Sequence, residues 1–241
     1  MKFILDISLL ITAVIIGGIV VTWLEKVNQK KMIQLLLAFS GGFLLCIAFV
    51  HFLPELYHQN EETIGFYVLL GFLVQLFLEY FSGGIEHGHI HHHHQSHFPW
   101  VLFFSLSVHS FIEGIPLANE ELIHHHGHNH DDHSLLYGIV FHQIPVSIAL
   151  MTVFKIQQMK NLNAWFMLLV FSLMTPLGLL CGFWLGEYFQ AETLQNILAL
   201  VVGMFLHIST TIIFETSENH RFNLTKLLYI LIGVILGFWI K

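Results

Sequence analysis

Residues 106–118 read LSVHSFIEGIPLA. The stretch is apolar apart from His109, Glu113 and two serines. In a helix, residues four apart project from one face about one turn apart, so His109 and Glu113 would stand together. A carboxylate inside an apolar span is costly, and such residues usually face a cavity or bind something. Imidazole beside carboxylate is a donor set suited to a transition-metal ion. The rest of the sequence is of the kind that would place this pair inside a membrane.

Of the 241 residues, 55% are hydrophobic and 10% charged, with a mean hydropathy of +0.71. Soluble domains carry about a quarter charged residues, so the composition is that of an integral membrane protein, and its partner is the lipid bilayer. No stretch reads as a soluble domain, and residues 1–241 form a single transmembrane unit. The net charge of −7 comes mostly from short acidic loops and excludes a basic, nucleic-acid-binding surface. Cys46 and Cys181 both fall in apolar spans and read as packing residues. Residues 1–23 lack a small-residue cleavage site and are long enough to cross, which predicts a retained first helix.

A span needs roughly 20 mainly apolar residues. Eight candidates fit, at 4–23, 32–53, 64–82, 99–118, 135–154, 163–186, 194–215 and 225–240. Lys26, Lys30 and Lys31 follow the first, Lys155 and Lys160 the fifth, and Arg221 and Lys226 the seventh. The segments after the second, fourth and sixth carry acids such as Glu61, Glu62, Asp131, Asp132, Glu187 and Glu192, and no Lys or Arg. Seven of the nine basic residues therefore share one side, which the positive-inside rule assigns to the cytoplasm. Both termini are then expected outside, in a multi-pass protein of the cell membrane (the inner membrane in a Gram-negative cell).

The second and seventh candidates resemble one another. Gly42-Phe43-Leu44 to Pro54-Glu55 and Gly203-Met204-Phe205-Leu206 to Glu215 each start on a small residue, carry one His (His51, His207) and end near a Glu. Crossing in opposite directions, they would mark an inverted repeat, although any two apolar helices share some likeness. Two tracts are His-rich: EHGHIHHHHQSH at 86–97, in an expected cytoplasmic loop (83–98), and HHHGHNHDDH at 124–133, in an expected external loop (119–134). Such tracts bind Zn²⁺, Ni²⁺ or Cu²⁺ weakly through many neutral imidazoles.

The fifth candidate contains FHQIPVS at 141–147. A short loop joins it to the fourth, so His142 should lie at a depth similar to that of His109. Pro145 leaves the Phe141 carbonyl without its helical donor, and Pro116 does the same for Ile112, next to Glu113. Broken helices at membrane depth are tolerated where they line a cavity. Two imidazoles and one carboxylate match a common Zn²⁺ ligand set with room for water. Ser110 and Gln143, one residue beyond each histidine, are weaker oxygen ligands or supporting donors. His51 and Glu55, also four apart, read equally as an entrance or a solvated cap. His207 reads as a ligand or a hydrogen-bonded packing residue, and Glu79 and Glu215 as interfacial groups.

These pieces together resemble the ZIP family of divalent metal transporters, in its bacterial form. The likeness is carried by GGFLLCIAFVHFLPE at 41–55, HSFIEG at 109–114, HQIP at 142–145 and GMFLHI at 203–208. The His-rich segment between the third and fourth spans matches as well. The resemblance implies an all-α polytopic membrane protein of eight transmembrane helices in a 3+2+3 inverted-repeat bundle. It implies movement of Zn²⁺, with Fe²⁺, Mn²⁺, Co²⁺ or Cd²⁺ as alternatives, into the cytoplasm, and metal ligands at His109, Glu113 and His142. In such carriers a four-helix bundle is thought to slide past the rest. A homodimer is compatible with such a carrier.

Many relatives have Asn after the span-four His, an acid after the span-five His and an acid or His one turn on. Ser110, Gln143 and Val146 occupy those positions, which favours one bound metal over two. Neutral imidazoles and one carboxylate leave an ion partly uncompensated, so affinity should be modest and should fall as the imidazoles protonate. An intramembrane metal-dependent hydrolase with Glu113 as general base is the alternative from another class. It lacks support from any HExxH. Exporters of the cation-diffusion type also have His-rich loops, but resemble six helices followed by a large soluble domain.

Overall fold

The fold is described from a computed structural model that covers residues 2–23, 29–59, 63–82, 99–119, 133–188, 191–215 and 224–240. Among these residues the structure is all-helical, and the eight expected spans are all present. The first is α1 (Lys2–Trp23). The second comprises α2 (Gln29–Ile47), one turn of π-helix at Ala48–Phe52, and α3 (Leu53–Gln59). The third is α4 (Ile64–Ser82), and the fourth is α5 (Trp100–Gly114) with a 3₁₀ extension, Ile115–Asn119. The fifth is α6 (Ser134–Ile156), and the sixth is α7 (Asn161–Ser172) with α8 (Met174–Tyr188). The last two are α9 (Ala191–Glu215) and α10 (Leu224–Trp239). Seven are long and apolar enough to cross a bilayer, while the eighth is a shorter apolar helix of 16 residues. The two His-rich loops, apart from the edges of the second, lie outside the described residues.

The irregularities fall at prolines, because proline cannot donate to the carbonyl four residues back. Pro54 withholds a donor from Val50, and the chain responds with the π-turn, in which the Leu53 N–H reaches the Ala48 carbonyl. Pro176 withholds one from Ser172, where the sixth span breaks at Leu173. Pro116 behaves differently from the sequence expectation. The Ile112 carbonyl accepts from the Ile115 N–H as the helix tightens to 3₁₀, so that carbonyl already has a protein partner. Pro145 sits inside a helix that continues to Ile156.

The first span packs on the fifth, the fourth on the sixth, the second on the eighth, the third on the seventh, and the second on the seventh. Exchanging first with sixth, second with seventh, third with eighth and fourth with fifth maps this set onto itself. That is the packing symmetry of an inverted repeat of three helices around a central pair. Contacts between the two halves depart from it: the second span packs on the fifth more extensively than the seventh does on the fourth, and the third packs on the fourth more extensively than the eighth does on the fifth. Ser105 donates there to the Leu78 carbonyl at 2.5 Å.

Glycine sets the closest approaches. A Cβ on Gly42 would strike the Ile230 carbonyl and one on Gly233 the Phe39 carbonyl, joining the second and eighth spans. Gly71 and Gly203 meet the Leu200 and Val68 carbonyls in the same reciprocal way between the third and seventh. Within a bilayer, packing and close backbone approach replace the hydrophobic effect between helices. The lipid-facing surface is apolar, as on α4, where Phe66, Leu69, Leu73, Leu76 and Phe77 are exposed while Ile64, Gly71 and Gln75 face inward. The fifth span is the most enclosed of the seven long ones.

Candidate metal centre

His109, Glu113 and His142 come together. One ligand atom from each lies within 4.8 Å of the other two, and all three residues are buried. His109 and Glu113 share a face of α5, as their spacing requires, with Nε2 and Oε1 2.7 Å apart. The His142 ring, from α6, lies 5.9 Å from the His109 ring, centroid to centroid, at an edge-to-face angle of 77°. Side chains 33 residues apart thus come together from the fourth and fifth spans.

Glu113 is 0% exposed, and neither of its oxygens has a hydrogen-bond partner among the described residues. Its 2.7 Å approach to His109 lacks the alignment of a hydrogen bond. On the other side of the ring, His109 Nδ1 lies 2.7 Å from Gln75 Oε1. A carboxamide oxygen only accepts, so Nδ1 donates and the neutral ring carries its lone pair on Nε2, the nitrogen beside Glu113. Two electron-rich atoms held that close in a dry site call for a cation, a metal ion or a second proton. Bonds of about 2.0–2.2 Å around Zn²⁺ would set ligand atoms about 3.3–3.6 Å apart, within reach of small side-chain rotations here.

The other expected residues divide. Gln143 is buried beside the histidine, donates its amide to Thr175 Oγ1 on α8, and keeps an Oε1 without a hydrogen-bond partner among the described residues. Ser110 is buried. His207 is not part of the cluster: its Nε2 pairs with Glu79 Oε2 across the third and seventh spans, and Phe72 packs edge-on to it at 4.7 Å. Glu79 is correspondingly sequestered, at 15% side-chain exposure, rather than solvated. His51 Nε2 contacts the Gly237 carbonyl at 3.1 Å, tying the π-turn to the eighth span, and Glu55 is half-buried one turn on.

Three partners were not anticipated: Gln75, Ser40, whose Oγ is 3.3 Å from His142 Nδ1, and Thr175. Gln75 carried a legible signal, since it is the one amide in the apolar run 64–78.

The family model for the ZIP zinc transporters matches residues 2–99 and 85–241, together essentially the whole chain. The chain belongs to the ZIP family. Comparison with curated proteins found no match. ZIP proteins are transporters of divalent metals, which fits a carrier rather than the hydrolase alternative. Membership and the apolar helices together make this a multi-pass membrane transporter with divalent metal ions as substrate.

Proposed function

We propose that this ZIP protein carries Zn²⁺ into the cytoplasm, accepting Fe²⁺, Mn²⁺, Co²⁺ or Cd²⁺ to lesser degrees, through one intramembrane site. His109, Glu113 and His142 are its ligands, with Gln143 and Ser110 as supporting oxygens. The observation that carries this reading is the convergence of two imidazoles and a carboxylate, fully buried, from two neighbouring spans. Imidazole and carboxylate follow the general divalent affinity order, so Zn²⁺ is favoured without excluding the others. With Val146 and Gln143 in place, Glu113 is the only acid of the cluster among the described residues, which suits one ion rather than two.

The motion is a sliding of the first, fourth, fifth and sixth spans against the second, third, seventh and eighth. The glycine contacts support it. Gly17 meets Ile144 and Ser147, and Gly114, Gly178 and Gly182 meet backbone carbonyls, all within the first group. Gly42, Gly71, Gly203 and Gly233 do the same within the second. Across the boundary Gly138 meets only side-chain atoms of Leu44 and Ile47. Backbone-to-backbone contact locks helices in register, whereas side chains can repack as one group moves past the other. Loop charges orient the protein with both termini outside. His51 and Glu55 would then lie toward the outer mouth, with the His-rich loops flanking the path on its two sides.

The test is uptake of a panel of divalent ions into proteoliposomes by wild type, His109→Ala and Glu113→Ala. Saturable Zn²⁺ uptake that both substitutions reduce to background is the expected result. Transport surviving both would place the site elsewhere.

A further inference from the structure

Two contacts to the metal centre come from outside the four spans in the ligand-bearing group. Gln75 on the third span meets His109 Nδ1 at 2.7 Å, and Ser40 on the second meets His142 Nδ1 at 3.3 Å. Both residues are 0% exposed. A buried carboxamide is costly unless bonded, so its position opposite His109 is constrained. A partner on one ring nitrogen fixes the tautomer, the ring plane and the basicity of the other nitrogen. Gln75 thereby keeps the His109 lone pair on Nε2, the nitrogen beside Glu113, and the Ser40 hydroxyl can orient the His142 ring.

We infer that Gln75, supported by Ser40, is a positioning residue that makes the metal site tight in this conformation and weaker once the ligand-bearing spans move past the third span. The inference rests on the proposed site and on the sliding motion. A shift of one helical turn is about 5.4 Å, enough to take His109 out of hydrogen-bond reach of Gln75. The ring then loses its fixed acceptor and can rotate or exchange tautomers, and the ion is held by fewer oriented donors. Release is coupled to movement while every ligand stays on its own helix. The third-to-fourth and second-to-fifth packings, which depart from the inverted-repeat symmetry, are the contacts that deliver Gln75 to His109 and Ser40 to His142.

The experiment uses the full chain with Gln75→Met, Gln75→Glu and Ser40→Ala. Co²⁺ binding is read from its ligand-field absorption in detergent, and Zn²⁺ uptake is resolved into KM and maximal rate in proteoliposomes. Gln75→Met should weaken Co²⁺ binding about 10- to 100-fold, the usual effect of removing a ligand's hydrogen-bond partner. KM should rise in step while the maximal rate stays at or above wild type. Ser40→Ala should shift both in the same direction by a smaller factor. Gln75→Glu keeps an acceptor and should bind at least as tightly as wild type. Unchanged affinity in Gln75→Met, a fall in rate at constant KM, or weaker binding by Gln75→Glu would each overturn the inference. If Gln75→Met does not fold, Gln75→Glu decides alone. His109→Ala separates the two readings. Wild-type Co²⁺ binding by His109→Ala would remove the metal site itself, whereas its loss there with Gln75→Met unaffected would remove only the positioning role.

Discussion

His109 Nε2 and Glu113 Oε1 stand 2.7 Å apart in a site with no exposure to solvent, without the alignment of a hydrogen bond. A buried carboxylate with no hydrogen-bond partner weakens the folded state unless a cation compensates it. The same arrangement that makes the site hospitable to a divalent ion makes the ion-free protein less stable. Glu113→Gln keeps the shape and removes the charge. It should raise the melting temperature of the metal-free protein and abolish the further rise that Zn²⁺ produces in wild type, since a ligand stabilises only the state it binds. Thermal unfolding in detergent with and without Zn²⁺ checks both signs. A Zn²⁺-dependent rise that persists in Glu113→Gln would remove the carboxylate from the ligand set.

The reciprocal glycine contacts predict where a methyl group cannot be added. Gly71→Ala and Gly233→Ala would each drive a Cβ into a backbone carbonyl of the facing helix, and overpacking of this kind typically costs about 1–3 kcal/mol. Gly138→Ala meets the end of the Ile47 side chain, which can turn away. Thermal stability should fall clearly for the first two and little for the third. Equal losses at all three would erase the distinction between locked and sliding interfaces.

The His207–Glu79 pair joins the third and seventh spans and is not among the clustered ligands. Glu79→Leu should destabilise the protein by about 1–3 kcal/mol, because it deprives a buried imidazole of a partner. Metal affinity should be unaffected. Co²⁺ titration and thermal unfolding on the same preparation separate the effects, and a large loss of Co²⁺ affinity would make this pair a second site.

The proposed orientation rests on the loop charges alone. In a background of Cys46→Ala and Cys181→Ala, a cysteine replacing His126 should react with an impermeant maleimide applied to intact cells. Labelling only after the membrane is opened would invert the assignment and turn the proposed direction of transport around.

Much of the fold was legible because its signals are local. Eight apolar runs separated by polar connectors map directly onto eight spans, and His109 with Glu113 needed only the helical repeat to be paired. The prolines read as kinks, Pro116 and Pro145, proved to mark a 3₁₀ tightening and a helix that runs on to Ile156, while the π-turn before Pro54 and the break before Pro176 were not anticipated from theirs. Proline positions did not disclose how each was absorbed, since a freed carbonyl can be satisfied by a π-turn, a 3₁₀ turn or a neighbour. The likeness between 42–55 and 203–215 was legible too, with Gly42 and Gly203 proving equivalent in use as well as in sequence. Its two histidines did not: His51 reaches the Gly237 carbonyl and His207 reaches Glu79.

What the sequence determined by itself is therefore the spans, their number, and any pairing within one helix, because hydropathy and the 3.6-residue repeat act over a few residues. Only the tertiary structure decided which face of each helix turns toward which neighbour. That rotation is set by packing, here by glycines that admit a facing carbonyl, and a uniformly apolar helix does not advertise it. For this reason His142, Gln75 and Ser40 reach one site from three different spans, while His207, just as isolated in its own apolar run, turns to another.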